Sequence, residues 1–138
     1  MDDARALLAE LVAIDSVNPS LVPGGAGEAE IARFVGGWLA SRGLEVDVSD
    51  AEPGRPNAVG RAGGSGGGRT LLLNAHMDVV GVDGMSDPFR PRVEGDRLYG
   101  RGAYDMKGAL AAMLVVAAAM RDQDTVRVRL GIVGDEES

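Results

Sequence analysis

The chain has 138 residues, 45% of them hydrophobic and 25% charged, with a formal net charge of -7 and no cysteine. That length supports a domain with a real core, and the acidic balance argues against a nucleic-acid partner, because phosphate binding needs a basic surface. Without cysteine, disulfides, thiolate metal sites and cysteine nucleophiles are excluded, so any metal must be held by histidine and carboxylates. The first residues lack the basic-then-apolar pattern of a signal peptide. No apolar run approaches the ~20 residues needed to cross a bilayer. A cytoplasmic protein without a membrane partner is the default expectation.

Leu7, Leu8, Leu11, Val12 and Ile14 share one broad face, which predicts a helix over 3–14. Asn18-Pro19 ends that region, and a loop containing Pro23, Gly24 and Gly25 follows. Ile31, Phe34, Val35, Trp38 and Leu39 recur at helical spacing over 28–42, with Gly43 placed to end the helix. Residues 44–48 alternate as a half-buried strand does, and 57–61 form a short second strand. The glycine-rich run 63–68 lacks the Gly-Lys-Ser/Thr ending of a phosphate loop, so a flexible hairpin connection is expected there. Residues 70–75 are continuously apolar but for Thr70 and Asn74, as in a strand buried on both faces. An Ala-rich apolar helix over 106–120 should pack on the sheet. Residues 126–133 read as a strand that starts half exposed and becomes buried. No internal repeat or domain boundary is visible. The alternation of helices and strands favours an α/β sheet with helices on its faces. Ligands in such sheets sit beyond the carboxyl ends of strands.

Three segments carry candidate chemistry at those ends. His76, the only histidine, follows one apolar strand. A lone histidine is commonly a surface or core residue, but Asp78 lies two residues on, on the same side of an extended segment, where it can orient the imidazole. Asp105 precedes an apolar helix and has two readings, helix N-cap or ligand; Gly100, Gly102 and Gly108 around it allow a close backbone approach that a cap does not need. Glu136 and Glu137 follow the last strand. They could be acids opening a helix, or they could divide two jobs, one binding a metal and the other acting as a base. Lys107 reads as a solvated or ion-paired residue. No Gly-x-Ser-x-Gly elbow and no helical two-histidine zinc motif occur. Read as a dinucleotide fingerprint the glycines fail, since Asp105 stands where the third glycine belongs.

The runs Leu73-Asn74-Ala75-His76-Met77-Asp78-Val79-Val80, Asp87-Pro88-Phe89, Leu98-Tyr99-Gly100-Arg101-Gly102-Ala103-Tyr104-Asp105-Met106-Lys107-Gly108 and Gly134-Asp135-Glu136-Glu137-Ser138 closely resemble the co-catalytic zinc amidohydrolases and exopeptidases. That family includes acetylornithine deacetylase, succinyl-diaminopimelate desuccinylase, aminoacylase and glutamate carboxypeptidase. The resemblance implies a three-layer α/β catalytic domain with a mixed, mostly parallel sheet. It implies that His76 and Glu137 each bind one zinc and that Asp105 bridges two. Glu136 would be the general base, and Asp78 would orient His76. It also implies two Zn2+ per complete site, with Co2+ or Mn2+ as allowed substitutes, and amide hydrolysis of an N-acyl amino acid or small peptide. The family supplies a further carboxylate, a second histidine and a smaller lid and dimerisation domain later in its sequence. Residues 1–138 are therefore expected to be the N-terminal part of the catalytic domain, weak in zinc binding and in activity alone, and the full-length form a homodimer. The contrasting reading is a non-catalytic α/β module that binds a metal or a partner without turnover.

Overall fold

The computed structural model describes residues 3–64 and 66–138. Three helices, α1 (Ala4–Val12), α2 (Ala29–Ser41) and α3 (Gly108–Ala119), lie against a four-stranded sheet built from β1 (Glu45–Glu52), β2 (Arg55–Gly63), β3 (Arg69–His76) and β6 (Val126–Val133). A small hairpin, β4 (Arg92–Glu94) and β5 (Arg97–Tyr99), stands apart from it. The main sheet runs β1-β2-β6-β3. It is mixed, as expected, but only the β3–β6 pairing is parallel; β1–β2 and β2–β6 are antiparallel. The expectation of a mostly parallel sheet does not hold for these four strands, because β1 and β2 form a hairpin and β6 enters beside β2.

Register shows which face carries the core. Ala58 pairs with Ile132, Gly60 with Leu130 and Ala62 with Val128, while Ala75 and Leu73 pair with Ile132 and Leu130. Directly paired residues point to the same side of a sheet. On that side Ala58, Ala62, Ala75, Val128, Leu130 and Ile132 join Leu7 and Leu11 of α1, Ile31, Val35 and Leu39 of α2, and Leu110 and Leu114 of α3 in one buried cluster. The opposite face carries Arg61, Leu72, Asn74 and Arg129, none of them buried. Among the described residues the helices thus occupy one face, and no third layer covers the other.

The expectation that residues 70–75 are buried on both faces is corrected: Leu71 is 47% and Leu72 66% exposed. β3 is an edge strand with only one face covered, and its burial is confined to Ala75 and His76. The glycine-rich run is corrected too. It is not a hairpin, because β6 lies between β2 and β3. Ser65 lies outside the described residues; around it, Gly63, Gly64 and Gly66 donate backbone hydrogen bonds to the carbonyls of Arg121, Gln123 and Asp124. A Cβ on Gly68 would collide with the Thr125 carbonyl oxygen. The glycines here permit a close crossing of the segment that leads into β6. The β4–β5 hairpin was not read from the sequence, because strands of three residues are too short to show a period. Its one signal was Gly95, with φ 61°, beside Asp96 at the turn.

Candidate metal centre

The polar ends of β3 and β6 and the segment before α3 meet at one edge of the sheet. His76 ends β3 and is 7% exposed. Its Nδ1 faces Asp78, with the backbone oxygen at 3.1 Å and Oδ1 at 3.4 Å. Its Nε2 points the other way, 3.2 Å from Asp105 Oδ1 and 3.8 Å from Glu136 Oε2. One ligand atom each from His76, Asp105 and Glu137 lies within 4.8 Å of the others.

Asp105 is not a helix cap. It sits in a wide turn over Ala103–Lys107 with φ -119° and ψ 103°, makes no capping hydrogen bond, and precedes α3 by three residues. The Asp105–Met106 peptide bond is cis. Extended backbone at this point turns the carboxylate out of the helix axis towards His76, leaving it 71% exposed. Gly102, with φ 76°, lets the chain enter the turn; a Cβ there would lie 2.6 Å from Val79 Cγ1.

Asp78 is fully buried, and its contacts reach beyond His76. Its carboxylate accepts the backbone N–H of Glu136 at 3.1 Å, that of Glu137 at 3.0 Å, and Asn18 Nδ2 at 2.8 Å. The residue that faces the imidazole therefore also anchors the acidic pair. Asp135, with φ 61°, makes the left-handed turn out of β6 that presents those two amides. Its carboxylate is held down to about 2, first by Asn18 and also by Ser138 and Arg55.

Four carboxylates, Asp78, Asp105, Glu136 and Glu137, surround a single imidazole. Glu137 shows the consequence: its carboxyl is raised above its ordinary value, first by burial and then by Asp105, with Asp78 and Glu136 adding to the effect. Converging imidazole nitrogen and carboxylate oxygens with excess negative charge suit a divalent cation of the borderline or hard kind, so the residues present fit one.

Lys107 reads from the sequence as solvated or ion-paired, and the solvated alternative is corrected. It is fully buried, and its Nζ donates to the Ile14 carbonyl at 2.8 Å. Burial pushes its ammonium down to about 8, offset in part by Asp15. Asn18, Glu28 and Arg55 were also missed. Asn18 had been read only as part of a helix-ending Asn-Pro, and nothing in the spacing links positions 18, 28 and 55 to the three site segments.

An α/β domain that gathers an imidazole and several carboxylates beyond the carboxyl ends of two parallel strands has a metal-binding type of site where α/β folds place their ligands. The chain matches the model of Peptidase family M20/M25/M40 over residues 72–138, and members of that family are metal-dependent hydrolases. The chain is 42% identical to a succinyl-diaminopimelate desuccinylase of Dinoroseobacter shibae, over 99% of this chain and 36% of that protein. Human carnosine dipeptidase 1 is similar in structure, with a TM-score of 0.79 and 29% identity over 97% of this chain and 32% of that one. The YXEP protein of Bacillus subtilis, described as a dinuclear metal binding peptidase, shares the fold at a TM-score of 0.65 and 15% identity, over 97% of this chain and 35% of that one. The chain spans about a third of the length of these relatives.

Proposed function

We propose that residues 72–138 carry part of the catalytic centre of a zinc-dependent amidohydrolase acting on an N-acyl amino acid, a desuccinylase or deacetylase in preference to a peptidase. The observation that carries this reading is the convergence of His76, Asp105 and Glu137 within 4.8 Å, with Glu136 beside them at 3.8 Å from the imidazole. His76 Nε2 and Glu137 would be terminal ligands and Asp105 the bridge between two ions. Bound Zn2+ would supply Lewis acidity and lower the pKa of a water at the site. His76 is set for its task by Asp78, since an Nδ1–H donated to that residue leaves the Nε2 lone pair facing Asp105. The Glu136 carboxylate, 57% exposed and 3.8 Å from His76 Nε2, belongs to a residue whose backbone N–H is held by Asp78, and it would take a proton from water. It would hand that proton to the departing amine nitrogen. The C–N bond breaks as the water oxygen bonds to the acyl carbon, giving one carboxylic acid and one amine.

Three donors for two ions fall short of the three protein ligands that each catalytic zinc usually takes. The reading therefore includes further donors from the part of the relatives' length that this chain does not span. It also includes weak metal holding by these 138 residues alone. No helix among the described residues is long and apolar enough to cross a membrane. A cytoplasmic setting and a dimeric full-length form belong to the same proposal. The test is hydrolysis of N-succinyl- and N-acetyl-amino acids by the full-length product of the gene, wild type against Glu136→Gln. Loss of at least ~100-fold in kcat with zinc content retained is expected. Unchanged kcat in the variant removes Glu136 from the chemistry.

A further inference from the structure

A connected polar network lies behind the metal centre, and we propose that Asn18 and Arg55 are positioning residues that hold the Glu136–Glu137 backbone in place through Asp78 and Asp135. The geometry stands by itself; its consequence for metal holding rests on the function proposed above.

Asn18 is fully buried. Its two side-chain N–H groups go to two carboxylates from different strand ends, Asp78 Oδ2 at 2.8 Å and Asp135 Oδ1 at 2.9 Å. Its Oδ1 accepts from the Ser20 N–H at 2.8 Å and from Arg55 Nη2 at 3.1 Å. A primary amide combines two donors with an acceptor and carries no charge, which suits a buried bridge between two anions. The backbone supports it: Asn18 N–H donates to the Val79 carbonyl, and Val79 N–H to that of Ser16.

Arg55 supplies the countercharge. Its Nε and Nη2 fork onto Glu28 at 2.8 and 2.7 Å, Nη2 also reaches Asp135 Oδ1 at 2.8 Å, and Nη1 reaches Ser20 at 2.9 Å. Glu28 is fully buried and stands at the N-cap of α2 without making a capping hydrogen bond. Its carboxylate is committed to Arg55 instead. The planar guanidinium can serve two carboxylates at once, whereas a lysine ammonium is a single point charge. The network thus ties the loop after α1, the start of α2, the start of β2, the end of β3 and the end of β6 to one another. Among the described residues neither Asn18 nor Arg55 bonds to His76, Asp105 or the carboxylates of Glu136 and Glu137. Their reach into the site is through Asp78, which accepts the Glu136 and Glu137 amides, and through the Asp135 turn.

The test is amide hydrogen exchange by NMR on the 138-residue chain, comparing wild type with Asn18→Ala, Arg55→Lys and, as a control on the same strand, Arg61→Ala. Arg61 pairs with the exposed Glu45 on the sheet and is outside the network. Exchange at the Glu136 and Glu137 amides should rise by about tenfold or more in the first two variants, with Val128, Leu130 and Ile132 in the β6 ladder unchanged. The control should change none of them. Co2+ affinity should fall by about 10–100-fold in the same two variants. Unchanged exchange at both amides in folded variants overturns the proposal. So does equal acceleration along all of β6, which would mark a purely structural role. Altered exchange with no Co2+ uptake by the wild type keeps the positioning role and sinks the metal reading instead. Where either variant fails to fold, Ser20→Ala, which removes the hydroxyl that Arg55 Nη1 reaches and that also bonds the Asp135 carboxylate, should give a smaller change at the same two amides; no change there overturns the proposal.

Discussion

Replacing Asp78 tests how the centre is held together. The carboxylate is fully buried and accepts three hydrogen bonds, from the Glu136 and Glu137 amides and from Asn18 Nδ2, all at 3.1 Å or less. In Asp78→Ala those three donors lose their partner. A hydrogen bond to a charged acceptor contributes about 1.5–3 kcal/mol, and a buried donor left unmade costs a similar amount. Water entering the vacated volume recovers part of this, so a loss of about 3–5 kcal/mol is expected. Asp78→Asn keeps the shape and one acceptor oxygen but turns an NH2 towards a backbone N–H, and should cost about 2 kcal/mol. Urea unfolding followed by circular dichroism, without metal, reads both variants. A loss under 1 kcal/mol in Asp78→Ala would refute the claim that this carboxylate anchors the acidic pair.

Lys107 predicts a pH dependence. The folded chain releases its proton at about 8 and the unfolded chain at 10.5. Between those values the unfolded state binds more protons, so this group's cost, fully present below pH 8, is relieved as pH rises, by up to ~3 kcal/mol at pH 10.5. The urea midpoint should therefore rise from pH 7.5 to 10 relative to Lys107→Met, in which the rise should vanish; parallel profiles would refute the assignment. Asp135 acts at the other end. Its depressed carboxyl contributes stability above its ordinary value of 3.8 that is lost as pH falls towards about 2, and Asp135→Asn should flatten the acid limb of the profile. Gly102→Ala places a Cβ 2.6 Å from Val79 Cγ1 at a positive φ and should lower stability by about 2 kcal/mol or more. Leu130→Ala, at 1% exposure, should cost about 2–5 kcal/mol, whereas Leu72→Ser, at 66% exposure, should stay within about 0.5 kcal/mol.

Ala-rich apolar composition located α3, and helical periodicity located α1 and α2 within a few residues, because each of those two buries one stripe against a single core. The β6 strand was legible over its whole length for the same reason. Order along the sheet was not. Placing β6 between β2 and β3 depends on pairings across distant segments, and it made the apolar run at 70–75 an edge strand with Leu71 and Leu72 exposed. Of the site, the segments around His76, Asp105 and Glu136–Glu137 stood out because imidazole and carboxylates gathered at strand and helix ends. The N-cap reading of Asp105 failed because backbone conformation within a turn leaves little trace in residue types. Asn18, Glu28 and Arg55 were silent for a further reason: they reach the site only through other polar groups, and each has an ordinary reading where it stands.

His76 being the only histidine, one imidazole reports on the whole centre. Its two ring nitrogens can be followed by long-range proton–nitrogen NMR while Zn2+ is added to millimolar levels, which also detects weak binding. A large shift at Nε2, with Nδ1 remaining protonated towards Asp78, and loss of that shift in Asp105→Ala, is the predicted result. A folded chain whose Nε2 does not respond to Zn2+, or responds equally in Asp105→Ala, would contradict the claim that His76, Asp105 and Glu137 form a metal centre.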